Sequence, residues 1–153
     1  NVDINKLTPT GYTALMLAAN NGHPSCVKLL LAHGAKVEIQ GIGGTTALML
    51  ASSQDHLTSM KPLLDSKASV HQQDLSGDTA MHYAAAAGRR EVIMLLINYG
   101  AKINQPAKNG KTPLHHAIEN KQLTTAELLI ANGADVNSAD NYGLTPLKAA
   151  KLM

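Results

Sequence analysis

Apolar residues fall at helical spacing in two short groups near the start of the chain. Leu15, Ala18 and Ala19 share one face of a first helix, and Val27 and Leu30 share one face of a second. A helix that is apolar on one face must bury that face against another element. The pattern therefore predicts a pair of short amphipathic helices packed together.

Turn residues separate these two helices and mark their ends. Gly11 opens a tight turn, and the hydroxyl of Thr13 can cap the first helix. Gly22 follows the first helix, and Gly34 can end the second by taking a left-handed conformation. The unit predicted is a turn, a helix, a second helix and a short extended segment.

The same unit recurs along the whole chain. Its capping threonine occurs at a constant spacing of 33 residues, at Thr13, Thr46, Thr79, Thr112 and Thr145. A single unit leaves much apolar surface exposed, so neighbouring copies must stack. The chain has no Phe and no Trp, which suits thin layers of Leu, Ile, Val, Met and Ala better than one thick core.

The repeat fixes the expected elements and their order. Paired helices are predicted over 13–21 and 24–33, 46–54 and 57–66, 79–87 and 90–99, and 112–120 and 123–132, with a further helix starting near 145. We expect one domain over 1–153, with full repeats at about 8–40, 41–73, 74–106 and 107–139 and partial repeats at 1–7 and 140–153.

One copy reads G-K-T-P-L-H-H-A at 110–117, and a later string reads N-G-A-D-V-N at 132–137. These motifs and the 33-residue period resemble the ankyrin repeat, and the resemblance covers essentially the whole chain. It implies an all-α solenoid of stacked antiparallel helix pairs with projecting β-turn loops. It also implies protein–protein binding rather than catalysis.

The two ends of the chain resemble incomplete repeats. Residues 1–5 read N-V-D-I-N, like the tail of a repeat, and the last residues fall inside a first helix. Neither end has a clear polar capping repeat, which solenoids normally need. We therefore expect the chain to be a piece of a longer protein.

The second repeat departs most from the pattern. Pro62 falls inside its second helix, and Lys67 replaces the glycine that ends that helix elsewhere. Asp55 stands where another copy has Gly22, and the glycines of 41–44 predict a loose leading turn. Lys121 makes the same replacement in the fourth copy. These changes predict a locally weaker repeat, and a functional bend is the alternative.

Charge and composition exclude several classes of partner. The formal charge is +2 and the chain has no basic run, so nucleic acid is not expected. No apolar run is long enough to insert in a bilayer. The single Cys26 fits a reducing compartment, and we expect it to be a small buried hydrophobe. The chain is expected to be intracellular, in the cytoplasm, and monomeric.

The polar residues do not form a recognisable catalytic set. Gly110-Lys111-Thr112 could end a phosphate-binding loop, but Gln105 stands where that loop needs its first glycine. His82 and His115 occupy the histidine of the T-P-L-H motif, where the resemblance implies hydrogen bonds that tie neighbouring turns. No zinc-finger spacing occurs, so no metal, cofactor or enzyme activity is expected. An enzyme would need a deep pocket that holds a perturbed ionisable pair.

Ligands of ankyrin repeats typically contact the turn tips and the exposed face of the first helices. Mapped by repeat position, the resemblance implies partner contacts at Tyr12, Asn20, Asn21, Thr45, Ser53, Gln54, Asp78, Ala86, Ala87, Lys111, Glu119, Asn120 and Tyr142. These residues are mostly small and polar with charges of both signs, which indicates an extended peptide or a flat protein surface as ligand. A structural spacer that binds nothing through this surface is the alternative.

The string L-I-A-N-G-A-D-V-N at 129–137 resembles the site that asparaginyl hydroxylases modify in ankyrin repeats. Asn137 would be the modified residue. The competing interpretation is an Asn whose side chain bonds to the backbone of a turn.

Overall fold

A computed structural model describes residues 3–152 of the chain. Within this range the regular structure is helical, with no strand. The nine α-helices of the described residues are α1 (Ala14–Asn20), α2 (Pro24–Ala32), α3 (Ala47–Ser53), α4 (Leu57–Asp65), α5 (Ala80–Ala87), α6 (Arg90–Asn98), α7 (Pro113–Glu119), α8 (Leu123–Ala131) and α9 (Pro146–Lys151). The predicted helix pairs are thus confirmed to within one residue at either end.

The helices form two layers of the predicted solenoid. The first helices α1, α3, α5, α7 and α9 pack in succession, and each of α2, α4, α6 and α8 packs on its own first helix. One continuous core of Leu, Met, Val, Ile and Ala runs through the stack. Leu48 in α3 and Leu63 in α4 are typical of it, since both are fully buried. None of the described helices is long and apolar enough to cross a membrane.

Threonine caps begin the first helices as the sequence predicts. The Thr13 hydroxyl accepts a hydrogen bond from the Met16 amide at 3.2 Å, and Thr46 does the same for Met49 at 3.3 Å. In the third repeat the Thr79 amide donates to Nδ1 of His82 at 3.0 Å. These bonds satisfy amides that have no partner within the helix.

The histidines of the T-P-L-H motif also link neighbouring repeats. Nε2 of His82 donates to the Lys111 carbonyl at 3.0 Å, and Nε2 of His115 donates to the Leu144 carbonyl at 2.9 Å. The predicted ties between turns are confirmed at these two junctions. The first two repeats have Met16 and Met49 at the equivalent position and cannot make this bond.

Three non-glycine residues have a left-handed backbone where other repeats use glycine. Asp55 has a φ of 63°, Lys67 of 68° and Lys121 of 58°. Pro62 lies inside α4, as the sequence predicts. The leading turn of the second repeat is not loose, because the Gly41 amide donates to the Thr45 carbonyl at 2.8 Å. That prediction was wrong because Ile42–Gly44 form a short 3-10 turn instead.

Candidate partner-binding surface

The tips of the turns are joined to one another by backbone hydrogen bonds. The Leu75 amide donates to the Gly43 carbonyl at 2.9 Å, so that each turn is fixed against the previous one. The same bond joins the other neighbouring turns: Ile42 to Gly11 at 2.9 Å, Lys108 to Ser76 at 3.0 Å and Asn141 to Asn109 at 2.9 Å. This backbone ladder holds the tip side chains in a regular row.

Large apolar side chains project from this row into solvent. Ile42 is 59% exposed, Leu75 is 69% exposed and Tyr142 is 87% exposed. Together with the exposed Lys108 between them, these residues form what we call the turn-tip row. Exposed apolar groups that share one surface are typical of interaction sites.

Only one of the three apolar tips was among the residues predicted to bind a partner. Tyr142 was predicted, but Ile42 and Leu75 were not, because in those two turns the resemblance implies contacts at Thr45 and Asp78, just before the capping threonines. The sequence contains a signal for both residues, since an aliphatic residue within a turn, as in Gly41-Ile42-Gly43 and Leu75-Ser76-Gly77, has no core to enter.

The structure places all the predicted partner-contacting residues at the surface or half-buried. The exposed ones are Asn21, Gln54, Glu119, Asn120 and Tyr142, and the half-buried ones are Tyr12, Asn20, Thr45, Ser53, Asp78, Ala86, Ala87 and Lys111. Surface position alone does not establish a contact, so their role as binding residues stays a prediction.

Some of the predicted polar residues already have partners within their own helix. The side-chain amide of Asn21 donates to the Leu17 carbonyl at 2.8 Å, and that of Asn120 donates to the His116 carbonyl at 2.8 Å. These bonds satisfy carbonyls at the helix ends. Both side-chain amides are therefore already hydrogen-bonded within the helix. A ligand that bound them would have to replace these bonds.

Three predicted residues come together between the third and fourth repeats. Lys111 and Glu119 form an ion pair with 2.6 Å between Nζ and Oε1. Asp78 lies against His116, with 3.3 Å between Oδ1 and Nε2. His116 was not among the predicted site residues, because the spacing along the chain does not show which side chain of the next repeat faces Asp78.

Burial and neighbouring charges shift the pKa values of His82 and Asp78. Burial lowers the pKa of His82 to about 4, against the opposing charge of Asp78. For Asp78 burial is the largest influence and would raise the pKa, but a hydrogen bond and the charges of His116 and His82 outweigh it, so the pKa is lowered. His82 is therefore neutral and Asp78 ionised at neutral pH.

Tyr83 extends the group toward the second repeat. Its hydroxyl donates to Oδ2 of Asp74. Burial, followed by this hydrogen bond, raises the pKa of Tyr83 well above its ordinary value. Asp74 in turn accepts from the Ser76 and Asp78 amides at 2.9 Å each, so its carboxylate shapes the turn before α5.

Cys26 is exposed, so the expectation of a buried thiol was wrong. Its equivalents Ser59, Val92 and Thr125 are all buried, because in each case the preceding repeat covers that face. Within residues 3–152 no helix pair lies on that side of α1 and α2. Burial at this position is a property of the neighbouring repeat and not of the residue itself.

The uncovered face of α1 and α2 is apolar. It bears a groove of about 760 Å³ lined by Ile4, Leu17, Leu29 and neighbouring residues. A further groove of about 410 Å³ includes Cys26. Neither groove contains Asp78 or His82, so the perturbed groups do not line these cavities.

Comparison with protein families agrees with this architecture. A family model described as ankyrin repeats (3 copies) matches residues 1–74, 56–140 and 109–151. The chain belongs to the ankyrin-repeat family. A search of curated proteins found no match to it.

Membership gives the broad class of function. Ankyrin repeats are generally protein-interaction modules and are typically not enzymes. In this ankyrin-repeat chain the capping threonines and the histidines of the T-P-L-H motif play structural parts, as the hydrogen bonds of Thr79, His82 and His115 show.

Proposed function

We propose that this ankyrin-repeat chain binds an extended peptide or a flat protein surface through the turn-tip row and the adjoining face of the first helices. The observation that carries the proposal is the exposure of Ile42, Leu75 and Tyr142 on a hydrogen-bonded backbone ladder. A backbone that is already held by hydrogen bonds loses little conformational freedom on binding, which favours affinity. Aromatic and large apolar residues of this kind often anchor interfaces.

The charges on this surface indicate what charge the ligand would carry. Lys108 and Lys111 are basic and Asp78 and Glu119 are acidic, and Lys111 is paired with Glu119, so neither sign dominates. A strongly charged partner would gain little here. The ligand that fits is an extended segment with apolar side chains and a mixed or low charge.

A matched pair of variants tests the proposal. Leu75 and Leu123 are both 69% exposed, but Leu75 lies in the turn-tip row and Leu123 lies at the start of α8. We expect Leu75→Ser to lose partners captured from a cell lysate and Leu123→Ser to keep them. Partners retained equally by both variants would overturn the proposal, since the turn tips would then not be the contact.

A structural spacer remains the second candidate function, and one observation favours it. Asn21 and Asn120 are hydrogen-bonded within their helices, and Lys111 is paired with Glu119, so much of the first-helix face is internally satisfied. A spacer would give no captured partner that depends on Leu75. The expected monomeric state and cytoplasmic location stay predictions.

We also propose Asn137 as a substrate of an asparaginyl hydroxylase. Asn137 is exposed, and it ends the string L-I-A-N-G-A-D-V-N that resembles such sites. After incubation with such an enzyme, we expect a mass gain of one oxygen at Asn137. No mass gain at Asn137 would overturn this proposal.

A further inference from the structure

The junction between the third and fourth repeats brings three metal-ligating side chains together. Asp78 ends the turn before α5, His82 lies in α5 and His116 lies in α7. One ligand atom from each lies within 4.8 Å of the other two. One carboxylate oxygen and two imidazole nitrogens are ligands that Zn²⁺ commonly accepts.

Two of these atoms have no polar partner other than each other. Oδ1 of Asp78 and Nε2 of His116 are both buried, and within the described residues neither makes a hydrogen bond to any other group. Buried polar atoms almost always have a hydrogen-bonding partner. The two atoms are 3.3 Å apart. Ligands held at zinc bond lengths in a tetrahedral site are separated by about 3.3 Å, so these two atoms could share an ion with little movement.

The set occurs at one junction of this chain. At the equivalent three positions, the second and third repeats have Thr45, Met49 and Tyr83. The fourth and fifth repeats have Lys111, His115 and Ala149 there. Stacking alone therefore does not require a carboxylate and two imidazoles at these positions.

His82 is the ligand that must change its present bonds. Its Nδ1 accepts from the Thr79 amide, and its Nε2 donates to the Lys111 carbonyl, both at 3.0 Å. For Nε2 to bind an ion, its proton must move to Nδ1, which then donates to the Thr79 hydroxyl 3.0 Å away. The bonds from the Thr79 amide to Nδ1 and from Nε2 to the Lys111 carbonyl are both broken in this exchange. The ring is already neutral, as ligation requires, and the exchange needs no net gain or loss of a proton.

We propose that Asp78, His82 and His116 bind a divalent transition-metal ion, with Zn²⁺ the best match to the ligand types. The ion would link α5 to α7 across the repeat junction. The side chains of Asp78 and His116 each keep 19% of their surface exposed, so the site lies just below the surface. It also lies next to the pair of Lys111 and Glu119, so ion binding would stiffen this part of the first-helix face.

Zn²⁺ titration of the metal-free chain tests the site. Calorimetry should show one ion bound per chain, and the midpoint of thermal unfolding should rise with Zn²⁺. His116→Gln and Asp78→Asn should each weaken binding by about tenfold or more. His71→Gln, at an exposed histidine in the second repeat, should bind like the wild type.

Two results would overturn the proposal. If His116→Gln binds Zn²⁺ as tightly as the wild type, the ion lies elsewhere on the surface. If the wild type binds no stoichiometric ion, Asp78 and His116 contact only each other.

The role of His82 needs a measurement on the wild type, because a substitution of this buried ring could disturb folding. Zn²⁺ should shift the NMR resonances of the ring nitrogens of His82 and His116 and leave those of His115 unchanged. Bound Zn²⁺ with an unchanged His82 ring would exclude the three-ligand site.

Discussion

Cys26 shows how the environment of one residue depends on what packs against its repeat. The thiol is exposed beside an apolar groove, whereas the equivalent Val92 is fully buried. We expect a thiol-specific reagent to label Cys26 in the folded chain at about the rate of a free peptide thiol. Cys26→Ala should change the free energy of unfolding by about 0.5 kcal/mol or less, as is usual for surface sites.

Slow labelling of Cys26 would contradict this expectation. It would mean that the face of α1 and α2 is covered in solution. A comparison with the urea-unfolded chain provides the reference rate for the free thiol.

Lys67 carries backbone strain that no side-chain contact explains. Its φ is 68°, and it is exposed. At the equivalent Gly34 and Gly100, a Cβ would meet nothing within 4 Å, so the side chain itself has room. Lys67→Gly should therefore raise the free energy of unfolding by up to about 1 kcal/mol, because glycine has a lower cost in this conformation.

Lys61→Gly is the matched control for that change. Lys61 is exposed and lies inside α4, where glycine costs about 1 kcal/mol. Urea denaturation of both variants measures the two effects. If both substitutions lower the stability, the strain at Lys67 is not what limits α4.

At the scale of the element, we expect α4 to be the least stable of the second helices α2, α4, α6 and α8. Pro62 in its interior has no amide to bond to the Thr58 carbonyl, whereas the equivalents Leu95 and Leu128 have one. Pro62→Leu should raise the free energy of unfolding by about 1–3 kcal/mol. Pro24→Leu, at the first position of α2, should give little change, because proline is tolerated there.

Hydrogen exchange tests the same weakness without a substitution. Amides of 55–69 should exchange faster than the equivalent amides of 88–102, because the third repeat ends its first helix with Gly88 and has no proline in α6. Equal protection in the two segments would mean that packing against the neighbouring repeats compensates fully for Pro62 and Lys67.

The elements could be predicted from the sequence because their determinants are local. The capping threonines, the left-handed glycines and the apolar spacing of α1 and α2 all act within one repeat. The exposure of Cys26 and the pairing of Asp78 with His116 could not be predicted in this way. Both depend on which side chain of an adjacent repeat lies opposite, and a one-dimensional pattern does not contain that information.

At the scale of the whole molecule, stability is a sum over repeats and the junctions between them. The junctions are not alike, since His82 and His115 each bond to the turn of the next repeat, whereas Met16 and Met49 do not. The C-terminal half of the solenoid therefore depends on imidazole hydrogen bonds that the N-terminal half lacks. A change that affects imidazoles should act unequally along the chain.

Lowering the pH is a change that affects imidazoles. Its effect on the stability of the third repeat follows from the pKa of His82. The folded pKa of His82 is about 4, below its ordinary 6.5, so between these values the unfolded chain binds a proton that the folded chain does not. Stability should fall as the pH drops from 6.5 to about 4, by at most about 3 kcal/mol from this residue. The pKa of Asp78 is also lowered, so its contribution is complete above pH 3.8 and is lost below that value.

A substitution taken from the chain itself isolates the contribution of His82. His82→Met introduces the residue that the first two repeats carry at this position, Met16 and Met49, and the core accepts it there fully buried. We expect the variant to be less stable than the wild type at pH 7, because it loses the bond to the Lys111 carbonyl. Between pH 6.5 and 4.5 it should lose less stability than the wild type, since the other titrating groups are common to both. Urea denaturation in the presence of a chelator, at both pH values, measures this difference. If the two proteins lose the same stability over this interval, protonation of His82 does not control the acid sensitivity of the C-terminal half.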